Sequence, residues 1–436
     1  MNDTVLENCK IIKNEELVLA NIGILKGSIN EISSKKINGK KIIDCNEKFL
    51  MPGIIDCHVH FRTPGEQEKE DWSTASKACI ASGITTVLDM PNNNPSTTTI
   101  KALNQKRKIV EKIALMNFGF HFGATEQNQF ELENATNIGS IKIFLGKSTG
   151  NLFVEKKEIV EKIFKIAKKR NLVVCVHAED QKTIEKNQIK FKHITDPMIH
   201  SKIRNSKAES IAISKVLQIQ KKIGNKLHIC HVSSKEGVQL IREAKENQLN
   251  VSCEVTPHHL FFTERDLAKL HNFAKVNPSI KSKKDQNALW AGIMDETIDC
   301  IASDHAPHLI EEKKQSYWDA PSGMPGVETM PLLLLDIATR KNLSLSKIIE
   351  LICQNPAKIF GIKNKGFLKT GFDADLALFD LEKTKKIQNK YLFTKCKWSA
   401  FNSKKLYGVL EKTLILGEVV FERPIISNVI VSEEVF

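Results

Sequence analysis

The sequence has no CxxC pair, no apolar run near the ~20 residues of a membrane helix, and no glycine-rich nucleotide turn. Aromatic residues make up only 6% of the 436 positions and do not interleave with a basic stripe. That argues against a nucleic-acid footprint, although the formal charge is +13, from 64 Lys+Arg against 51 Asp+Glu. The lysines are scattered. In 155–170 (EKKEIVEKIFKIAKKR) they share a polar face with glutamates, while Ile159, Val160, Ile163, Phe164 and Ala167 recur at helical spacing. Such lysines keep a protein soluble.

The 10 cysteines are spread singly, several inside apolar runs such as 173–176 and 298–302. They read as buried free thiols in a reducing compartment. The first residues show no basic stretch followed by an apolar one, so no signal peptide is expected and the expected location is the cytoplasm. Hydrophobic residues at 41% and charged residues at 26% exclude a disordered or collagen-like chain. A chain of this length buries a sizeable core without a structural staple, so a metal would serve catalysis.

Eight β-rich runs stand between residues 54 and 302: 54–58, 85–89, 118–123, 141–145, 173–177, 227–231, 251–255 and 300–302. Helical patterns such as 207–223 and 235–247 fall between them. This alternation predicts an α/β fold, a (β/α)8 TIM-type barrel, and the stretch from His58 to His308 matches the about 250 residues typical of one. The competing doubly wound sheet would carry the missing nucleotide turn. Short strands with Gly and Asn turns near both termini predict one small composite β-domain. The expected division is 1–50 and 365–436 for that domain and 51–364 for the barrel, with ISNVIVSEEVF at the end as a loose tail.

Polar residues gather where the strands end. The first run leads into His58 and His60, the second into Asp89 and Asn92. The fourth contains Lys142, the fifth ends at His177, the sixth at His231, and the eighth leads to Asp304, His305 and His308. Barrel chemistry sits at such ends. His58 and His60, two apart on a strand, point to one side and can share a metal ion with later imidazoles and a carboxylate. A lone histidine there would be ordinary, but four with an aspartate at equivalent positions are not packing. His121, His193, His200, His228 and His271 carry no expected role. Lys142, in IGSIKIFLG, is either a lysine reaching the barrel rim or a buried amine of lowered pKa, able to take up carbon dioxide as a carbamate.

The segments MPGIIDCHVHFRTPGEQEKEDW, GITTVLDMPNNNP and IASDHAPH resemble the amidohydrolase superfamily, and more narrowly the dihydroorotase family, over nearly the whole chain. That resemblance implies reversible hydrolysis of dihydroorotate to N-carbamoyl-aspartate. It implies two divalent metal ions, expected to be zinc, bridged by carboxylated Lys142 and a hydroxide. His58 and His60 match the first metal pair, His177 and His231 the second, and Asp304 the ligand that is also the acid/base. Some members bridge with aspartate, but none occurs between Glu133 and Glu179 here. Arg62, two residues past His60, matches the carboxylate-binding arginine; the alternative is a surface pair with Glu66 or Glu68. Asn92, with Asn94 as the alternative reading, Asn277 and His308 match further substrate contacts, and Ser322 and Gly323 a loop with backbone contacts. GKSTG at 146–150 lacks phosphate-loop spacing. The small-molecule substrate is the expected partner, with neither nucleic acid nor membrane. A homodimer and association with aspartate carbamoyltransferase are further expectations. The competing readings are another cyclic-amide hydrolase, for dihydropyrimidines, hydantoins or allantoin, and an inactive dihydroorotase-like scaffold.

Overall fold

The computed structural model describes residues 1–147, 152–427 and 429–436, so Ser148, Thr149 and Gly150 of GKSTG lie outside the described residues. Eight strands alternate with helices: β1 (Ile54–Val59), β2 (Ile84–Asp89), β3 (Asn117–Gly123), β4 (Ser140–Phe144), β5 (Val173–His177), β6 (Lys226–Ile229), β7 (Val251–Val255) and β8 (Cys300–Ile301). Each pairs in parallel with its chain neighbours. A parallel bridge between Val59 and His305, with His60 N donating to His305 O at 2.8 Å, closes the (β/α)8 barrel. Their near-continuous apolar sequences follow from burial on both faces.

The helices cover the outside. Helix Lys157–Lys169 buries Val160, Ile163, Phe164 and Ala167 and turns its lysines and glutamates to solvent. Polar side chains start the helices locally: Ser234 Oγ accepts from Gly237 N at 3.0 Å, and Asp71 and Asn205 cap theirs in the same way. Trp72 packs edge-on against Phe61, Phe118 and Phe120 under the barrel wall.

Both termini build a second, nine-stranded sheet. Phe49–Pro52 pairs antiparallel with Leu376–Lys386 on one side and touches Asn2–Lys13 on the other. The expected division at residue 50 falls inside this strand. Leu6, Cys9, Ile22, Leu376 and Leu414 form its core.

The C-terminal tail is not loose. Phe118 N donates to Glu433 O at 3.0 Å and Val435 N to Phe118 O at 2.9 Å. Arg107 Nε reaches both Glu434 oxygens at 2.7 Å. The Phe436 ring packs against Gly119, Gly139 and Leu88 in the cluster that holds Cys57, Cys175 and Cys230. The tail lies across the barrel at the start of β3, and its last apolar residues, Val435 and Phe436, are half-buried against that cluster. No helix among the described residues is long and apolar enough to cross a membrane.

Candidate active site

At the C-terminal end of the barrel, His58 and His60 project to one side of β1 and its continuation, their ring centroids 5.3 Å apart. Both rings meet Asp304 Oδ1, His60 Nε2 at 3.1 Å and His58 Nε2 at 3.4 Å. The other nitrogen of each ring is held from behind. His58 Nδ1 bonds Glu254 of β7, and His60 Nδ1 lies 2.6 Å from Asn92 Oδ1. These outer bonds fix which nitrogen faces the aspartate.

Beside them, His177 Nδ1 lies 3.1 Å from His231 Nε2, and the His231 ring is 5.2 Å from that of His58. His177 Nε2 is held at 3.0 Å by Glu179, which Arg204 bonds in turn. β6 ends at Ile229, so His231 stands on the following turn and not on the strand as the pattern predicts. Arg62, His231 and Asp304 have φ of 58°, 36° and 45°, a left-handed conformation that non-glycine residues adopt at a cost of about 1–3 kcal/mol each. Three such residues round one centre mark a functional site.

Lys142 is fully buried on β4, with its Nζ 3.0 Å from Cys230 Sγ and 4.9 Å from the Phe144 ring centroid. It does not snorkel to the rim. Burial opposes its charge, but Cys230, Cys175 and Glu254 outweigh burial and leave its pKa raised. The expected lowered pKa is therefore not what its neighbours produce.

The charges sort in the same manner. Burial disfavours a protonated His58, yet Glu254 and Asp304 outweigh it and pull its pKa up to about 10. Burial keeps His60, His177 and His231 neutral, each with a lowered pKa. Burial also works against the Asp304 carboxylate, but His58 and His60 overcome it and hold it below the usual range.

The donor set fits a divalent metal. Ligating atoms of His58, His60 and Asp304 lie within 4.8 Å of one another, and the buried His231 Nδ1 has no hydrogen-bond partner. Imidazole nitrogens with an ionised carboxylate are the donors zinc accepts; His60 and His231 are neutral already, and His58 would give up its proton to bind.

The adjoining cavity is lined by these histidines and Asp304 together with Arg62, Asn92, Asn277, Ser322 and Gly323. Arg62 is 2% exposed, so it is not a surface residue, although its Nη1 does lie 3.6 Å from Glu66. Its Nε donates to Pro307 O at 3.2 Å and its Nη2 is 3.2 Å from His308 Nε2. His308 sits behind the lining, against Ser322 O at 3.1 Å. Asn277 Oδ1 is 3.1 Å from His200 Nε2. Asn92 both lines the cavity and orients His60.

Sequence reasoning missed Glu254, Glu179 and His228, whose Nε2 lies 3.1 Å from Glu254. A carboxylate inside the apolar strand VSCEV and another two residues past His177 were the available signals. His121, fully buried against Ser140 and Cys57 O, and His200, against Tyr317 and Val276 O, are satisfied core histidines.

The sequence pattern of the amidohydrolase family matches residues 49–420. The chain is 36% identical to the dihydroorotase of Methanosphaera stadtmanae, over 96% of both chains. It is 39% identical to that of Methanosarcina acetivorans, over 97% of this chain and 92% of that one. Its fold superposes on an L-hydantoinase (dihydropyrimidinase) from Arthrobacter aurescens with a TM-score of 0.94, at 29% identity and 98% coverage of both chains. The chain thus belongs to the amidohydrolase family, alongside relatives named dihydroorotase.

Proposed function

We propose that the protein is a dihydroorotase, hydrolysing (S)-dihydroorotate reversibly to N-carbamoyl-L-aspartate in de novo pyrimidine biosynthesis. The observation that carries this reading is Arg62, a buried guanidinium on the cavity wall beside the histidine–aspartate group. A carboxylated ring has a use for it, because a guanidinium binds a carboxylate through two parallel hydrogen bonds. The relatives named dihydroorotase support it. The likeness to a hydantoinase favours a second reading, hydrolysis of neutral cyclic amides, which would offer Arg62 no anionic group of the substrate to bind.

In this reading His58, His60, His177, His231 and Asp304 would hold two divalent ions, expected to be zinc, with carboxylated Lys142 as a ligand they would share. Bound divalent ions lower the pKa of water from 15.7 towards about 7 and polarise a carbonyl. Asp304, kept ionised by its imidazole neighbours, accepts the proton of the attacking water and returns it to the departing ring nitrogen. The ring C–N bond breaks as the new C–O bond forms, and the reverse sequence closes the ring. Arg62, Asn92, Asn277 and His308, with backbone groups of Ser322 and Gly323, orient the substrate. Lys142 takes up carbon dioxide by losing a proton, which bound cations favour against its raised pKa.

The buried free cysteines support a reducing, cytoplasmic location. A barrel of 51–364, a homodimer and association with aspartate carbamoyltransferase belong to the same proposal. Purified protein assayed on dihydroorotate, 5,6-dihydrouracil and hydantoin tests it. Turnover of dihydroorotate alone, lost on chelation and in Lys142→Ala and restored to the wild type by zinc, is expected. Faster turnover of the neutral rings would reverse the substrate assignment.

A further inference from the structure

Four of the residues assigned to the substrate come from two loops that do not hydrogen-bond along a common sheet. Asn277 follows Lys275 on one, and His308, Ser322 and Gly323 stand on the other, which has little regular structure beyond a single helical turn. Something must hold them in register.

Lys313, the last residue of the turn Ile310–Lys313, is 1% exposed. Its Nζ donates to Lys275 O at 3.2 Å, Pro321 O at 2.9 Å and Gly323 O at 2.9 Å. Burial and the neighbouring Lys275 push its pKa well below the ordinary lysine value, so it is the three carbonyl acceptors, which call for three N–H donors, that hold the proton on the amine. All three are main-chain carbonyls, and they belong to both loops. Lys275, also buried, adds a second tie, donating to Tyr317 O at 2.6 Å and Ala320 O at 2.5 Å. Gly323 N returns a bond to Lys275 O at 2.9 Å. The Trp398 ring, 5.9 Å from Lys313 Nζ, donates from Nε1 to His308 O at 2.7 Å. His308 then touches Ser322 O and Arg62.

We propose that Lys313, seconded by Lys275, is a positioning residue whose ammonium joins the Asn277 loop to the 320–323 loop and so shapes the carboxylate end of the substrate site. Burying a charge is costly unless its hydrogen bonds are met. Here they are met only when the two loops lie together, so the ammonium selects that arrangement. Neither lysine touches Asp304 or the histidines, so the chemical step does not depend on them.

This inference rests on the dihydroorotase reading. The test compares wild type, Lys313→Met and Lys275→Met on dihydroorotate, with metal content and thermal midpoint measured on each. Wild type that leaves dihydroorotate untouched overturns the functional reading. With active wild type, Lys313→Met is expected to raise KM at least about tenfold while kcat changes less than about threefold and metal content is unchanged. Lys275→Met is expected to raise KM by a smaller factor, and it decides the matter if Lys313→Met does not fold. In Lys313→Ala, ethylammonium chloride is expected to lower the raised KM, and tetramethylammonium, a cation without N–H donors, is not. An unchanged KM in the folded variants, a fall confined to kcat, or equal rescue by both cations would overturn the clamp.

Discussion

Glu254 bonds His58 Nδ1 and so turns the Nε2 of that ring towards Asp304, 3.4 Å away. One buried carboxylate on β7 thereby sets the orientation of an imidazole on β1. It also holds His228 at 3.1 Å, so the acid is bound from two sides.

Removing that acid should loosen the metal centre. Glu254→Gln is expected to lower metal affinity by about 10–100-fold, the usual cost of losing a partner behind a ligating histidine. Competitive titration against a chelator measures it. Unchanged affinity would mean that His58 is oriented by its strand alone.

Arg62→Met keeps the stem of the side chain and deletes the fork. Its kcat/KM for dihydroorotate is expected to fall by at least about 100-fold, from the loss of a paired charge-assisted hydrogen bond. Metal content should stay constant, because Arg62 contacts His308 and Pro307 O and not the histidine–aspartate group. Steady-state kinetics at saturating zinc check both statements.

Stability should depend on pH through His200. Burial, with Arg204 and Lys275 nearby, pushes its pKa down to about 3. The unfolded chain has the ordinary value of about 6.5 and takes up the proton first. The stability is therefore complete above about pH 6.5 and is lost as pH falls towards 3, at about 1.4 kcal/mol per unit. Thermal midpoints between pH 7 and about 4 should fall, and His200→Gln should flatten that slope. An equal slope in the variant would assign the acid sensitivity to other groups.

Phe436→Ala is expected to cost about 1 kcal/mol, since the ring is half-buried and loses only part of the contact of a fully buried one. Chemical denaturation reads the loss. Gly119→Ala should destabilise by overpacking, since its Cβ would fall 2.6 Å from the Phe436 ring. The site lies at the other ends of the strands, so kcat at low temperature should be unaffected in both.

The parts of this protein that were legible in its sequence are those with a local cause. Alternating apolar runs and amphipathic helices define the barrel, because burial on both faces of a strand shows in its own residues. The spacing of His58 and His60 shows that they share a face, because a strand repeats every two residues. Asp304, His177 and His231 were legible through their equivalent positions after successive strands. The net charge of +13 is uninformative about the site, whose cavity is lined by the buried Arg62.

What only the tertiary structure decided are the pairings between distant positions. Glu254 with His58 is separated by 196 residues, and Phe118 with the tail by more than 300. No local pattern marks a carboxylate as the partner of one particular imidazole, or the apolar end of a chain as the cover of a barrel. The same holds for Lys142, whose raised pKa comes from Cys230, Cys175 and Glu254 on three other strands or their ends. By itself the sequence determined which elements form and most of the side chains that face the site, His308 behind the lining excepted. The folded barrel decided how those side chains are oriented and charged, because hydrogen bonds and desolvation act across space and not along the chain.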